Sequence, residues 1–393
     1  MATSSDTKPA QGLSNAFVAL FLISTGMTTL AVAGTGPILP LLQAHFTDTA
    51  MAAGLSRATM TVGSIGIVVG APLAPLVATW LGRQRLLMLA ACLFTLAGLC
   101  GYLVDDLMII VASRFVVGLC AAVVGTVTVT IVAEACDEVA RNRWMGLMVG
   151  FGTFLAMLLL PLSGVLGDLD WRASFLLHLL GIPVAVLAWI GYPKGLQAAA
   201  PSGGRARLPV RLDLILLGMS VGAAINVQPI YAPFKLASIG VQSAAVIGLC
   251  LMPFTLAAAI VSPFFGRVRA VLSATLVFGF GFGVLALGLL AFALSPNVPI
   301  ALCAYGLFGA AMGLVISNLY AVASEASDSA SRSSALGQAL AGYYAAPLLA
   351  QTILEVVASG QPTHALMWLA GFCGLMCAAW LSSLVRLRGA SAV

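Results

Sequence analysis

Long apolar runs, each bounded by charge or by Pro/Gly punctuation, divide the 393 residues into twelve segments of roughly 20 residues or more. They fall near 15–43, 53–79, 86–104, 107–133, 144–167 and 173–192. After a polar interval they resume near 212–234, 243–265, 270–294, 299–323, 334–358 and 364–385. Residues 270–324 carry no charge, and the break Ser295–Pro299 divides that stretch into two segments. Runs of this length predict membrane-spanning helices, because hydrocarbon offers no partner to an unpaired backbone N–H or C=O.

The polar interval Lys194–Arg211 is rich in Gly, Pro and Arg and predicts a linker between two six-helix halves. The expected division is a polar tail 1–14, a first bundle 15–192, the linker 193–211, a second bundle 212–386 and a tail 387–393. The N-terminal tail is read as a cytoplasmic segment rather than a cleaved signal. The halves also repeat. An offset of 191 residues sets Glu134 on Glu325, Asp137 on Asp328, Arg141 on Arg332, Gly146 on Gly337 and Gly118 on Gly309. Arg114 falls on Tyr305, so one half carries a charge inside the membrane that the other lacks.

With 61% hydrophobic and 8% charged residues, no soluble core accounts for the apolar content, and a lipid bilayer does. The net charge of +5 is scattered between hydrophobic runs and does not point to nucleic acid. It reads as topology: fourteen Lys and Arg fall on the side holding both termini and the linker, against Arg57, Arg172 and Lys235 on the other. That bias predicts cytoplasmic termini. The eight cysteines sit almost entirely in apolar runs as small hydrophobes, and Cys373 and Cys377 have no His or carboxylate beside them to complete a metal site. His45, His178 and His364 carry no motif, so neither a catalytic centre nor a metal set is expected.

Local motifs then carry a resemblance. The loop Pro75–Leu87, PLVATWLGRQRLL, is similar to the Gly-Arg loop after span 2 of the major facilitator superfamily, with Thr79 at the usual acid. Its counterpart is FGRVR, Phe265–Arg269. Span 4 carries RFVVG, Arg114–Gly118, and span 5 ends LLLPLSGVLGD, Leu158–Asp168, resembling the arginine motif and the antiporter motif. DWRASF, Asp170–Phe175, resembles the start of span 6. The nearest branch is the twelve-span drug:proton antiporters and their metabolite-exporting relatives. The resemblance implies an all-α membrane protein with two pseudo-symmetric six-helix bundles, and a proton gradient rather than a cofactor as energy source.

Arg114 lies about two helical turns into its span, roughly 10 Å below the surface. An intramembrane charge is a functional-site candidate by default. It would bind an anionic or carbonyl-bearing substrate or tune a neighbour's proton affinity; otherwise it is a hydrogen-bonding hub for carbonyls of an adjacent helix. Glu134 is 20 residues further along the same helix, about 30 Å away, which excludes a direct pair. Asp105, Asp106 and Glu355 are the remaining acids on its side. In INVQPIYAPFK, Pro229 and Pro233 predict a broken helix that offers Asn226, Gln228 and Tyr231 to a substrate. Tyr344, Gln351 and Glu355 form a polar stripe on span 11, at spacings of 7 and 4. The threonines Thr25, Thr28, Thr29 and Thr35 are expected to bond their own helix. Glu134 and Glu325, at corresponding helix ends, are expected to act as cytoplasmic gating elements that pair with loop arginines such as Arg83 or Arg267 when that side closes; otherwise they would exchange protons, burial raising a carboxylate pKa toward neutrality. Gly82 and Gly266 would form the turns, with Arg141 and Arg332 beside them.

The expected function is export of a small organic compound, drug or metabolite, by alternating access with proton antiport. The protein is expected to be a monomer in the inner membrane, with a lipid bilayer, protons and the solute as its partners. The alternatives are proton-coupled uptake of an anionic metabolite or siderophore-like compound held by Arg114 and, more remotely, a membrane-embedded enzyme.

Overall fold

The structure is a computed structural model and describes residues 14–46, 52–136, 138–192, 210–325 and 332–390. The expected tail 1–14 except Ser14, and the linker 193–211 except its last two residues, lie outside the described residues. Twelve helices are long and apolar enough to cross a membrane, and no strand occurs among the described residues. In the first half they are α1 (Asn15–His45), α2 (Ala53–Leu81), α3 (Arg83–Leu103), α4 (Leu107–Val132), α5 (Gly150–Leu169) and α6 (Trp171–Gly191). In the second they are α7 (Leu212–Ser238), α8 (Ala244–Val271), α9 (Ala274–Leu294), α10 (Val298–Glu325), α11 (Ala335–Val357) and α12 (Pro362–Ser383). The last helix continues to Ala390, past the boundary expected at 386.

Each half has its own core. Phe17, Leu20, Phe21, Leu87, Phe94 and Val124 anchor the first, and Phe278, Phe282, Leu285, Leu289, Phe308 and Leu366 the second. Large apolar side chains such as Leu96, Trp189 and Leu287 point outward and are more than half exposed, as a lipid-facing surface requires. Within the bundles α2 packs on α4, α8 on α10, α7 on α11 and α9 on α12. Odd-numbered helices run away from the face that holds residue 14 and the end of α12. That face is called the terminal face below, and the other the far face.

The 191-residue repeat is visible in the packing. A Cβ on Gly118 of α4 would fall 1.9 Å from the Gly63 carbonyl oxygen of α2. Its counterpart on Gly309 of α10 would fall 2.1 Å from the Phe254 oxygen of α8, and the same offset carries Gly63 onto Phe254. Helix breaks repeat as well. α1 stops after Val32, passes through a 3-10 turn at Gly36–Ile38 and resumes at Leu39. α7 breaks between Asn226 and Gln228, where Pro229 removes a backbone donor. The offset places Thr35 on Asn226, so both halves open their first helix at the same point.

Candidate functional site

A cavity of about 860 Å³ lies between the bundles. The first bundle lines it with small residues and hydroxyls: Thr25, Thr28, Thr29, Thr126 and Thr130 among Gly125, Gly152, Ala121 and Ala122. The second bundle lines it with Asn226, Tyr305, Tyr320, Tyr343 and Tyr344. Of the expected substrate residues, Asn226 and Tyr344 are therefore on the wall. The Asn226 amide donates to the Tyr343 carbonyl oxygen at 3.2 Å, an acceptor on α11, which joins α7 to α11 across the break. Several lining hydroxyls turn back on their own helices, as expected: Thr25 donates to Leu22 O at 2.6 Å and Thr29 to Thr25 O at 3.3 Å. The lining runs from Gly36 and Met60, in the half nearer the far face, to Val129, Met148 and Leu336 near the terminal face, and includes none of Arg57, Thr61, Gln351 and Glu355.

The far face is sealed at two corners. At one, Arg57 of α2 donates to Glu355 Oε1 of α11 at 2.6 Å and to the Gly360 carbonyl oxygen at 3.4 Å. Its guanidinium carbon lies 5.5 Å from the centroids of the Tyr231 and Phe234 rings, and the Tyr231 hydroxyl donates to Glu355 at 3.5 Å. One turn deeper the Thr61 hydroxyl donates to Gln351 Oε1. At the other corner α5 and α8 touch backbone to backbone. A Cβ on Gly164 would fall 2.1 Å from the Ala244 oxygen, and one on Gly248 2.8 Å from the Leu160 oxygen. Asp168 on α5 accepts from the Ala244 and Ala245 N–H groups at 2.5 and 3.1 Å, and from the Ser243 hydroxyl, capping α8 from across the interface. The repeat carries Arg57 onto Gly248 and Glu355 onto Gly164, so the two corners are equivalent positions filled by opposite chemistries.

Four residues expected to meet substrate are thus elsewhere. Tyr231, Gln351 and Glu355 belong to the far-face seal. Gln228 is fully buried behind the lining, beside Tyr305. The polar stripe on α11 does share one face, but only Tyr344 sits deep enough to reach the cavity.

Arg114 is not part of the lining either; it is 1% exposed inside the first bundle. Its guanidinium donates to the carbonyl oxygens of Ala97 and Gly98, both at 3.1 Å, to Ser113 Oγ at 3.2 Å and to His178 Nε2 at 3.0 Å. The ring of Phe175 lies 5.0 Å away beneath it. His178 Nδ1 lies 3.0 Å from the Phe175 carbonyl oxygen, a contact in which the Nδ1–H donates and leaves Nε2 as the acceptor for Arg114. The arginine is the hub that ties α3, α4 and α6 together, and no acid is needed to hold it. Asp105 and Asp106 are engaged elsewhere. Asp105 pairs with His45 and Arg172, both at 2.9 Å, and Asp106 caps α4. The hydrogen bond from His45, aided by the Arg172 charge, holds the Asp105 carboxyl below its ordinary range.

On the terminal face Arg83 grips Glu134 with two hydrogen bonds of 2.5 and 2.8 Å, a bidentate pair inside the first bundle. Its counterpart in the second bundle pairs Glu325 with Arg269 at 3.0 Å, not with Arg267, whose guanidinium stacks on Phe264 at 5.3 Å. Gly82 has φ +78°, a left-handed turn that glycine adopts without strain, whereas Gly266 lies within the helix Phe265–Val271 and turns nothing. The side chains of Arg141 and Arg332 lie outside those described.

The residues that sequence reasoning missed are Arg57, Thr61, Asp168 and His178. Arg57 read only as a loop charge, and its partner is 298 positions away. The usable signal was the repeat itself, which sets both members of the ion pair on glycines.

A chloramphenicol resistance protein of Streptomyces lividans is 27% identical over 219 residues, 53% of each chain. A probable sugar efflux transporter of Helicobacter pylori is 26% identical over 197 residues, 48% of this chain and 50% of that one. The matched segment spans about half the length of these relatives. Among solved structures, a POT family transporter in complex with a thioalcohol-conjugated peptide superposes with a TM-score of 0.77 at 11% identity, covering 94% of this chain and 96% of that one. An inward-open xylose transporter from E. coli gives 0.71 at 15% identity, covering 93% and 95%. At such identities the likeness is one of fold. The sequence profile of the Major Facilitator Superfamily matches residues 21–233, more than half of the chain, and the protein belongs to that superfamily of membrane transporters.

Proposed function

We propose that the protein is a secondary active transporter that exports a small organic compound by alternating access, driven by inward movement of protons. The observation that carries this reading is a solute-sized cavity between the bundles that reaches toward the terminal face while the far face is sealed. Such an arrangement is one of the two states alternating access requires, and the contacts at the far face are those that must break to reach the other. Asn226 and Tyr344 contact the solute. Arg57 with Glu355, Thr61 with Gln351, and Asp168 with the start of α8 form the far gate. Arg83–Glu134 and Arg269–Glu325 brace the loops of the terminal face within each bundle. The fourteen-to-three distribution of Lys and Arg favours cytoplasmic termini in an inner membrane, with the monomer as the working unit.

Export is favoured by the names of the two sequence relatives, one a resistance protein and one an efflux transporter. Proton coupling rests on the likeness of the span 4 and span 5 motifs to those of antiporters. The reading in which Arg114 holds a substrate carboxylate has no support from its position. Purified protein in liposomes tests the proposal: of a panel of uncharged and charged organic solutes, at least one should move, only across membranes containing the protein, and its accumulation should follow an imposed pH gradient. Solute movement that ignores the gradient would remove the proton; chemical conversion of the solute would remove the transporter.

A further inference from the structure

Taking the transport reading as its basis, we infer that the solute is uncharged and ring-bearing, with carbonyl, ether or hydroxyl oxygens that accept hydrogen bonds from Tyr320 and Tyr344. No Asp, Glu, Lys, Arg or His lines the cavity among the described residues. A bare ion carried through the closed intermediate would lose its hydration with no counter-charge to replace it, at a cost that grows steeply in apolar surroundings. An uncharged solute escapes that cost. The buried arginines lie outside the lining and are engaged elsewhere, Arg57 with Glu355 and Arg114 with carbonyls and His178.

The two walls differ in a way that specifies the solute further. On the first bundle Thr25, Thr29 and Thr130 spend their hydroxyl protons on their own helices, leaving methyl groups and oxygen lone pairs toward the cavity. Between them the surface is flattened by glycine and alanine. On the second bundle the hydroxyls of Tyr320 and Tyr344 donate to no group of the protein among the described residues, and both rings line the cavity. Tyr344 is held edge-on to Tyr343, centroids 5.1 Å apart, which fixes its ring plane. Donors and aromatic faces thus stand on one side and a smooth acceptor-bearing wall on the other. A flat ring fits between them, with its oxygens turned to the phenols. The volume of about 860 Å³ suits a drug-sized solute.

Tyrosines also attract organic cations through their π faces, and the test separates the two chemistries. Phenylalanine keeps the ring and deletes the donor. Binding to the full chain in nanodiscs is measured for two uncharged probes, chloramphenicol and 4-nitrophenyl glucoside. Two charged probes, 4-nitrobenzoate and 4-nitrobenzyl-trimethylammonium, are measured alongside, and flux of all four is followed in liposomes. The expected result is saturable binding of at least one uncharged probe and none of the ions. Tyr344→Phe and Tyr320→Phe should each weaken that binding about five-fold, the worth of one hydrogen bond. Binding of the cation that survives both substitutions overturns the inference, as does preferential binding of the anion. Failure of both uncharged probes to bind below about 1 mM also overturns it. If flux of every probe is absent as well, the transport reading falls with it; if a charged probe moves, transport stands and only the substrate class is wrong.

Discussion

Replacing Arg57 with alanine should unseal the far face. The Arg57 side chain is 3% exposed and that of Glu355 26%, so the variant strands a carboxylate that is only partly in water. Breaking a buried ion pair from one side costs about 3–5 kcal/mol. The water reaching Glu355 discounts this to about 1.5–3 kcal/mol. Loss of the contacts with the Tyr231 and Phe234 rings adds to it. A change of about 2 kcal/mol moves a two-state equilibrium roughly 30-fold, enough to turn a minor far-face-open population into the major one. The assay is the distance between nitroxides on cysteines at Gly54, at the far-face start of α2, and Gln361, in the turn between α11 and α12, in an otherwise cysteine-free background. A side chain at Gly54 would meet nothing within 4 Å, so the label should be tolerated. Arg57→Ala should shift the distribution to longer distances, Glu355→Gln should do so less, and the exchanged pair Arg57→Glu with Glu355→Arg should restore the short one. An unchanged distribution in Arg57→Ala would refute the reasoning, because the pair would then hold nothing closed.

Other outcomes follow from the same geometry. Gly164→Val should separate α5 from α8, since a Cβ there already meets the Ala244 oxygen at 2.1 Å; labels at Leu169 and Gln242 should move apart while the thermal midpoint changes little. Arg114→Ala should lower the thermal midpoint without altering the KM of residual transport, because it orphans His178 and two carbonyls at about 1–3 kcal/mol per buried group; a KM effect with unchanged stability would return Arg114 to the substrate. Asp105, whose carboxyl is held low by His45 and Arg172, should contribute stability that is complete above the ordinary carboxylate pKa of about 4 and lost as pH falls through its lower folded value. The gap in midpoint between wild type and Asp105→Asn should accordingly close on acidification.

The fold was legible because its signals are local or periodic. Apolar run length marked twelve spans, Pro229 marked the break in α7, and the 191-residue repeat marked the two halves. Asn226 and Tyr344 were placed on the cavity wall by the same logic, polar groups near a break and at mid-span. The remainder depended on partners that sequence distance conceals. Arg114 invited a search for an acid, yet its charge is spread over carbonyls and a histidine 64 positions away. Glu355 and Gln351 share the helical face of Tyr344 but lie about three and two turns nearer the end of α11, where the neighbour is α2 rather than solute. Helical periodicity fixes azimuth and says nothing of what stands opposite at each depth.

The two corners of the far face differ in how they can come undone. Where α5 meets α8, the seam at Gly164 and Gly248 is bare backbone, which has no side chain to stretch, and the charge at that corner is Asp168, capping α8 at the exposed rim. Where α2 meets α11, contact is made by opposite charges, which water and ions can each satisfy separately. Rupture of the barrier is therefore expected to start at the charged corner, with the glycine seam as the last line to part. Salt on the far side should act on the Arg57–Glu355 pair and on the Asp168 rim, and leave the glycine seam between the backbones untouched. The molecule has, in effect, one edge closed by charge and one where charge guards only the rim of a backbone seam.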